Sequence, residues 1–306
     1  MTAYTETWVA GPHSTNFYTR TYEATSPIYV LVAVHGAAEH SGRYTRAHSS
    51  FAERGITVFS YDQRGYGRTA LDAEHKSGNS TYGKTCWANQ LEDLDWAVQY
   101  VHQRYTKLPI FLVGSSMAGT LCLSFVTRPG PPQRRASIAL LSGIIASAPT
   151  FLLTERPSWP VYLTVKALRL LVPNMLLPMK HDPEKLSSNE ETNKAYLEDP
   201  LVGAPGSMLS VYDLVNEGEQ LLRIYYKDFP SQLPLLVLQG TADQLSDPAA
   251  TQSFFEKLAA EQKKLVVYPG ARHELHNEPV QDQLLEECVD FIRRTTNEPR
   301  GVLGDA

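Results

Sequence analysis

Ile110-Phe111-Leu112-Val113-Gly114-Ser115-Ser116-Met117-Ala118-Gly119 is the stretch from which the remaining sequence takes its meaning. The apolar run at 110–113 has the composition of a strand buried on both faces, and residues 117–127 continue as a helical pattern. Only a sharp turn fits between them, and such a turn accepts small residues alone on either side of its tip. Ser116 meets that demand, with Gly114 two positions before it and Ala118 two after. Ser115 does not, because Val113 and Met117 occupy those places. A serine lifted onto a turn at the end of a strand is a candidate nucleophile.

The same buried-strand signature recurs on both sides, at residues 28–34, 56–61, within 139–148, at 235–238 and at 265–268. Helical patterns at 43–53, 87–104, 251–258 and 280–294 alternate with these strands, which predicts a mostly parallel sheet flanked by helices. Residues 5–9 and 17–23 alternate apolar with polar and suit an antiparallel edge. The strand-helix alternation stops between Pro149 and Pro234. The expected organisation is a single α/β core of residues 1–148 and 234–306 with 149–233 inserted.

Within the insertion, residues 161–172 (VYLTVKALRLLV) follow Pro160 and stop before Pro173, as a helix does. Lys166 and Arg169 mark one polar stripe, and the rest is apolar nearly all round. Such a helix either packs inside the insertion or turns a greasy face to lipid or substrate. Met175-Leu176-Leu177-Pro178-Met179 lengthens the apolar patch and favours lipid.

A serine hydroxyl attacks only when a base removes its proton, and the base needs an acid to orient it. The run at 235–238 ends in Gln239-Gly240-Thr241-Ala242-Asp243, and the run at 265–268 ends in Pro269-Gly270-Ala271-Arg272-His273. Both side chains therefore stand in loops at the carboxyl ends of strands, where open α/β sheets build their sites. Asp243 and His273 are the expected acid and base. Asp247 is the alternative acid, but Pro248 and a helix follow it, which suits an N-terminal cap. An oxyanion also needs two aimed N–H donors, expected from Met117, after the nucleophile, and Ala37, after the first buried strand. His273 and His276 lack the spacing of a helical zinc pair, so no metal is expected, and no cofactor.

The chain of 306 residues is 42% hydrophobic and 20% charged, with a net charge of −5 spread over interspersed charges, which excludes the basic field of a nucleic-acid binder. Cys86, Cys122 and Cys288 are widely spaced and read as free thiols. No apolar run reaches the length of a spanning helix, and no signal pattern opens the sequence. An intracellular, cytoplasmic protein is expected, with any membrane or lipid-droplet contact peripheral and made through the insertion.

With these residues in hand, the chain resembles the monoacylglycerol lipase and lysophospholipase-like family of α/β-hydrolases, a group that includes serine aminopeptidases. The likeness spans residues 29–292. Its most specific element is His35-Gly36-Ala37-Ala38-Glu39-His40-Ser41-Gly42-Arg43-Tyr44, similar to H-G-x-G-E-H-x-G-R-Y except at Ala38. Asp62-Gln63-Arg64-Gly65-Tyr66-Gly67-Arg68-Thr69 resembles D-x-x-G-x-G-x-S, and the Ser116 turn resembles G-H-S-M-G-G except at Ser115 and Ala118. The acid and histidine loops match as well, and Asp199-Pro200-Leu201 resembles the D-P-L of the family's cap, which covers the serine. The resemblance implies the α/β-hydrolase fold with a helical cap, and an ester hydrolase acting on monoacylglycerols. It implies head-group contacts from Glu39, Arg43, Tyr196 and His276, and an acyl chain lying in an apolar tunnel beneath the cap. Lysophospholipase, general carboxylesterase and a catalytically idle binding protein are the alternatives.

Overall fold

The computed structural model describes residues 3–203 and 205–296. Its strands, in chain order, are β1 (Thr5–Ala10), β2 (Asn16–Tyr22), β3 (Tyr29–Val34), β4 (Ile56–Tyr61), β5 (Ile110–Ser115), β6 (Leu141–Ser147), β7 (Leu176–Leu177), β8 (Gly206–Ser207), β9 (Leu235–Gly240) and β10 (Lys263–Tyr268). Eight of them form one sheet in the order β1-β2-β4-β3-β5-β6-β9-β10, while β7 pairs with β8 alone. The β1–β2 and β2–β4 pairs are antiparallel and the others in the large sheet are parallel, as the change from alternating to continuous apolar runs predicts.

Side chains of the central strands alternate between two apolar layers. Val30, Val32 and Val34 of β3 join a core with helices α3 (Trp87–Arg104), α4 (Met117–Thr127), α9 (Met208–Arg223) and α10 (Pro248–Lys257). Tyr29, Leu31 and Ala33 join the opposite core with α1 (Thr45–Ala52) and α11 (Gln281–Thr295). All of α4 is buried, which explains why its sequence lacks a polar stripe. Two short helices, α2 (Gly67–Leu71) and α5 (Pro132–Ile138), complete the core.

Register then fixes where chemistry can occur. Val34 lies beside Gly114, Ser115 beside Ser147, Ser147 beside Leu238, and Gly240 beside Tyr268. The loops leaving β3, β5, β6, β9 and β10 thus emerge side by side along one edge of the sheet.

The segment between β6 and β9 carries α6 (Trp159–Leu171), α7 (Pro183–Leu186), α8 (Glu190–Glu198) and α9. The longest, α9, goes unpredicted by the sequence pattern because Gly218 interrupts it. That glycine is required, since an added Cβ would stand 2.3 Å from the carbonyl oxygen of Thr150. No residue of α6 is buried, and Trp159, Leu170 and Leu171 are 68%, 72% and 77% exposed. The expected polar stripe is also split. Lys166 is exposed, whereas the Arg169 guanidinium turns inward over the Tyr212 ring of α9, 4.0 Å from its centroid. Among the described residues no helix is long and apolar enough to cross a membrane.

Candidate active site

The turn from β5 into α4 holds Ser116 at φ 58° and ψ −127°, a conformation that costs a non-glycine residue about 1–3 kcal/mol. Tight packing makes it possible: a Cβ on Gly114 would lie 2.4 Å from the Ala118 carbonyl oxygen. Ala118 itself is fully buried and accommodated, so its methyl leaves the turn intact. The Ser116 hydroxyl pairs with Thr150 Oγ1 at 3.2 Å, and Thr150 Oγ1 with Ser246 Oγ at 2.8 Å.

His273 Nδ1 lies 2.8 Å from Asp243 Oδ2, with both side chains buried. Burial alone would raise the Asp243 carboxyl, but the charge and hydrogen bond of His273 and the N–H groups of Ser246 and Leu245 hold it below its ordinary value. Burial depresses His273 most strongly of any single cause, but the charge and hydrogen bond of Asp243, together with the charges of Glu274 and Glu39, outweigh it and raise the imidazole. Asp247 stands apart as the N-cap of α10, accepting the Ala249 N–H at 2.9 Å.

On the other side of Ser116, the loop after β3 turns through Ala38 at φ 59°. Glu39 Oε1 accepts the Gly36 N–H at 2.6 Å and the Tyr44 hydroxyl at 2.6 Å. Arg43 bonds Glu39 at 2.7 Å and clamps Glu274 through two contacts of 2.5 and 2.8 Å. The guanidinium in turn holds the Glu274 carboxyl well below the usual carboxylate range against the effect of burial. This bracing leaves the backbone N–H groups of Ala37 and Met117 without an acceptor among the described residues.

Ser116, His273, Ala37, Glu39, Arg43 and Tyr196 line one chamber of about 60 Å³. Thr150, Leu153 and Leu214 are shared with an adjoining groove of about 330 Å³, whose other walls include Phe151, Pro157, Trp159 and Tyr162. Tyr196 packs its ring under Arg43, 5.1 Å from the guanidinium carbon. His40 Nε2 pairs with Asp199 Oδ2 at 2.8 Å, tying the loop after β3 to the segment between β6 and β9.

One expected head-group contact is turned elsewhere. His276, on the short 3₁₀ turn Leu275–Asn277, stacks on Tyr44 at 4.3 Å and lines a separate cavity of about 50 Å³ with His48 and Cys288. Ser115 borders both spaces. Also lining the chamber is a histidine that no sequence pattern singles out, His181 of the segment between β6 and β9. It belongs to no motif and no periodic segment, so no local signal marks it. Cys86, Cys122 and Cys288 are free, and among the described residues no cluster of His, Cys, Asp or Glu is arranged to hold a metal.

The serine aminopeptidase S33 family model matches residues 25–280. The chain belongs to that family. As a member of it the protein is a serine hydrolase, and its fold is that of the α/β-hydrolases. It is 30% identical to human monoglyceride lipase over 83% of this chain and 78% of that protein. It is 28% identical to the monoacylglycerol lipase of Mycolicibacterium smegmatis over 88% and 89%. A Schizosaccharomyces pombe relative is 32% identical over 82% of this chain, which spans 63% of that protein's length. A soluble variant of Saccharomyces cerevisiae monoglyceride lipase, solved with a substrate analogue, superposes with a TM-score of 0.84 at 22% identity, covering 96% of each chain.

Proposed function

We propose that this S33-family hydrolase cleaves monoacylglycerols to fatty acid and glycerol through an acyl-enzyme on Ser116. The observation that carries the reading is the meeting of Ser116, the His273–Asp243 pair and the unclaimed amides of Ala37 and Met117 at a small chamber that adjoins a larger groove walled by Phe151, Leu152, Pro157, Trp159 and Tyr162. The names of the human and mycobacterial relatives support the same substrate class.

The Ser116 hydroxyl turns from Thr150 to His273, whose imidazole takes the proton as the oxygen attacks the ester carbonyl. The two amides hold the tetrahedral oxyanion, each donor being worth about 3 kcal/mol of transition-state stabilisation. His273 then protonates the departing glycerol oxygen, and water repeats the sequence on the acyl-enzyme to release the fatty acid. Asp243 accepts the Nδ1–H throughout and keeps the other ring nitrogen free for the proton. The acyl chain occupies the groove, and residues 149–233 act as the cap. The exposed side chains of Trp159, Leu170 and Leu171 rest on the lipid surface from which substrate is drawn.

Fatty-acid release from monoacyl-, diacyl- and triacylglycerol and from a lysophospholipid, measured side by side for the protein and Ser116→Ala, tests this. Preference for monoacylglycerol, lost by at least about 10⁴-fold in a folded variant, is the expected result. Lysophospholipid preference overturns the head group alone, and full activity of the variant overturns the mechanism.

A further inference from the structure

The chamber poses a question of hydrogen-bond supply. A substrate whose alcohol carries free hydroxyl groups must exchange their water contacts for protein donors and acceptors, or lose affinity. Most of the polar side chains expected to serve are already engaged. Arg43 is spent on Glu39 and Glu274, Glu39 Oε1 holds Gly36 and Tyr44, and His276 faces another cavity.

His181 is different. His181 is one of the residues lining the chamber with Ser116 and His273, and its ring has no hydrogen-bond partner among the described residues. Its main chain, by contrast, is held firmly. The His181 N–H donates to the Tyr196 hydroxyl at 3.3 Å, and further along the same segment the Leu186 carbonyl accepts the Glu274 N–H at 2.8 Å. The segment is thus tied to the residue that follows the catalytic histidine.

We propose that His181 is a specificity-determining residue that hydrogen-bonds a free hydroxyl of the alcohol part of the substrate, selecting polyol esters over simple alkyl esters. A neutral imidazole offers one donor and one acceptor, as a hydroxyl does, so the two are complementary in either tautomer. Burial and the neighbouring His273 charge both disfavour protonation of His181, which keeps it in that form. Charge points the same way: Glu39 and Glu274 outnumber Arg43, so the chamber discriminates against anionic heads.

The inference rests on ester hydrolysis at Ser116 and is tested separately from it. 1-Octanoylglycerol and ethyl octanoate, both kept monomeric, are compared for wild type, His181→Leu and His181→Gln, with fluorophosphonate labelling of Ser116 as the measure of an intact site. The ratio of kcat/KM for the glycerol ester to that for the ethyl ester should fall about 10-fold in His181→Leu, chiefly through KM, and recover in part in His181→Gln. An unchanged ratio overturns the proposal, whether both esters are lost together or neither is. Failure of the wild type to cleave either ester, with Ser116 unlabelled, would instead overturn the underlying hydrolase reading.

Discussion

The strand-end loops and the inserted segment solve opposite problems. Along the sheet edge, buried polar groups are bound to one another: Asp243 to His273, Leu245 and Ser246, and Glu39 to Gly36, Tyr44 and Arg43. In α6 the order is inverted, with Arg169 turned onto Tyr212 while Leu170 and Leu171 face outward. A soluble surface helix normally presents the reverse. In the first region most polar side chains find partners within the chain, and in the second apolar area is left exposed among the described residues.

The sharpest way to break this contrast is at the acid. Asp243→Asn should reduce kcat by about 10⁴-fold, because an amide can stabilise the wrong imidazole tautomer and no longer balances the charge formed on His273. Asp247→Asn should leave kcat within about 2-fold, since its role is to cap α10. A reversed result would move the acid.

The same pair sets the pH dependence. The base must be neutral, and Asp243 raises the His273 pKa above 6.5, so kcat/KM falls as pH drops through that raised value. Removing the carboxylate charge in Asp243→Asn should shift this limb to lower pH while lowering the plateau. A limb that stays in place would assign it to another group.

The next effect tests the insertion. Leu170→Ser combined with Leu171→Ser should lower the rate on monoacylglycerol dispersions by on the order of 10-fold, through the loss of lipid-buried apolar area. The rate on monomeric esters should be unchanged. Both residues are more than 70% exposed, so stability should move by less than about 0.5 kcal/mol. Equal losses on dispersed and monomeric substrates would return α6 to an internal packing role.

What could be read in advance follows the same division. Strands β3, β5 and β9 are largely buried on both faces, so continuous apolar runs mark them, and the residues proposed for catalysis stand in the loops that follow β3, β5, β9 and the more exposed β10. The helix around residues 161–172 was legible from its flanking prolines. Its exposure was not, because an apolar helix looks the same whether its cover is protein or lipid. Neither α9 nor His181 was legible. Gly218 breaks the helical pattern of α9 for the sake of the Thr150 carbonyl, and His181 has meaning only beside Tyr196 and Glu274, contacts that folding alone creates.

The smallest expected effect lies where the two regions meet. Thr150 begins the excursion from the sheet, yet its hydroxyl holds the nucleophile at 3.2 Å and is itself anchored by Ser246 at 2.8 Å. With Ser116 as the donor, that bond stabilises the resting hydroxyl in an orientation it must leave, and a neutral hydrogen bond is worth about 0.5–1.5 kcal/mol. Thr150→Val keeps the shape and removes the partner. Ser116 should then react with a fluorophosphonate about 2- to 5-fold faster, while Thr150→Ser retains the wild-type rate. A slower Thr150→Val would mean that the Thr150 hydroxyl aids the attack, making the first residues of the insertion part of the catalytic edge.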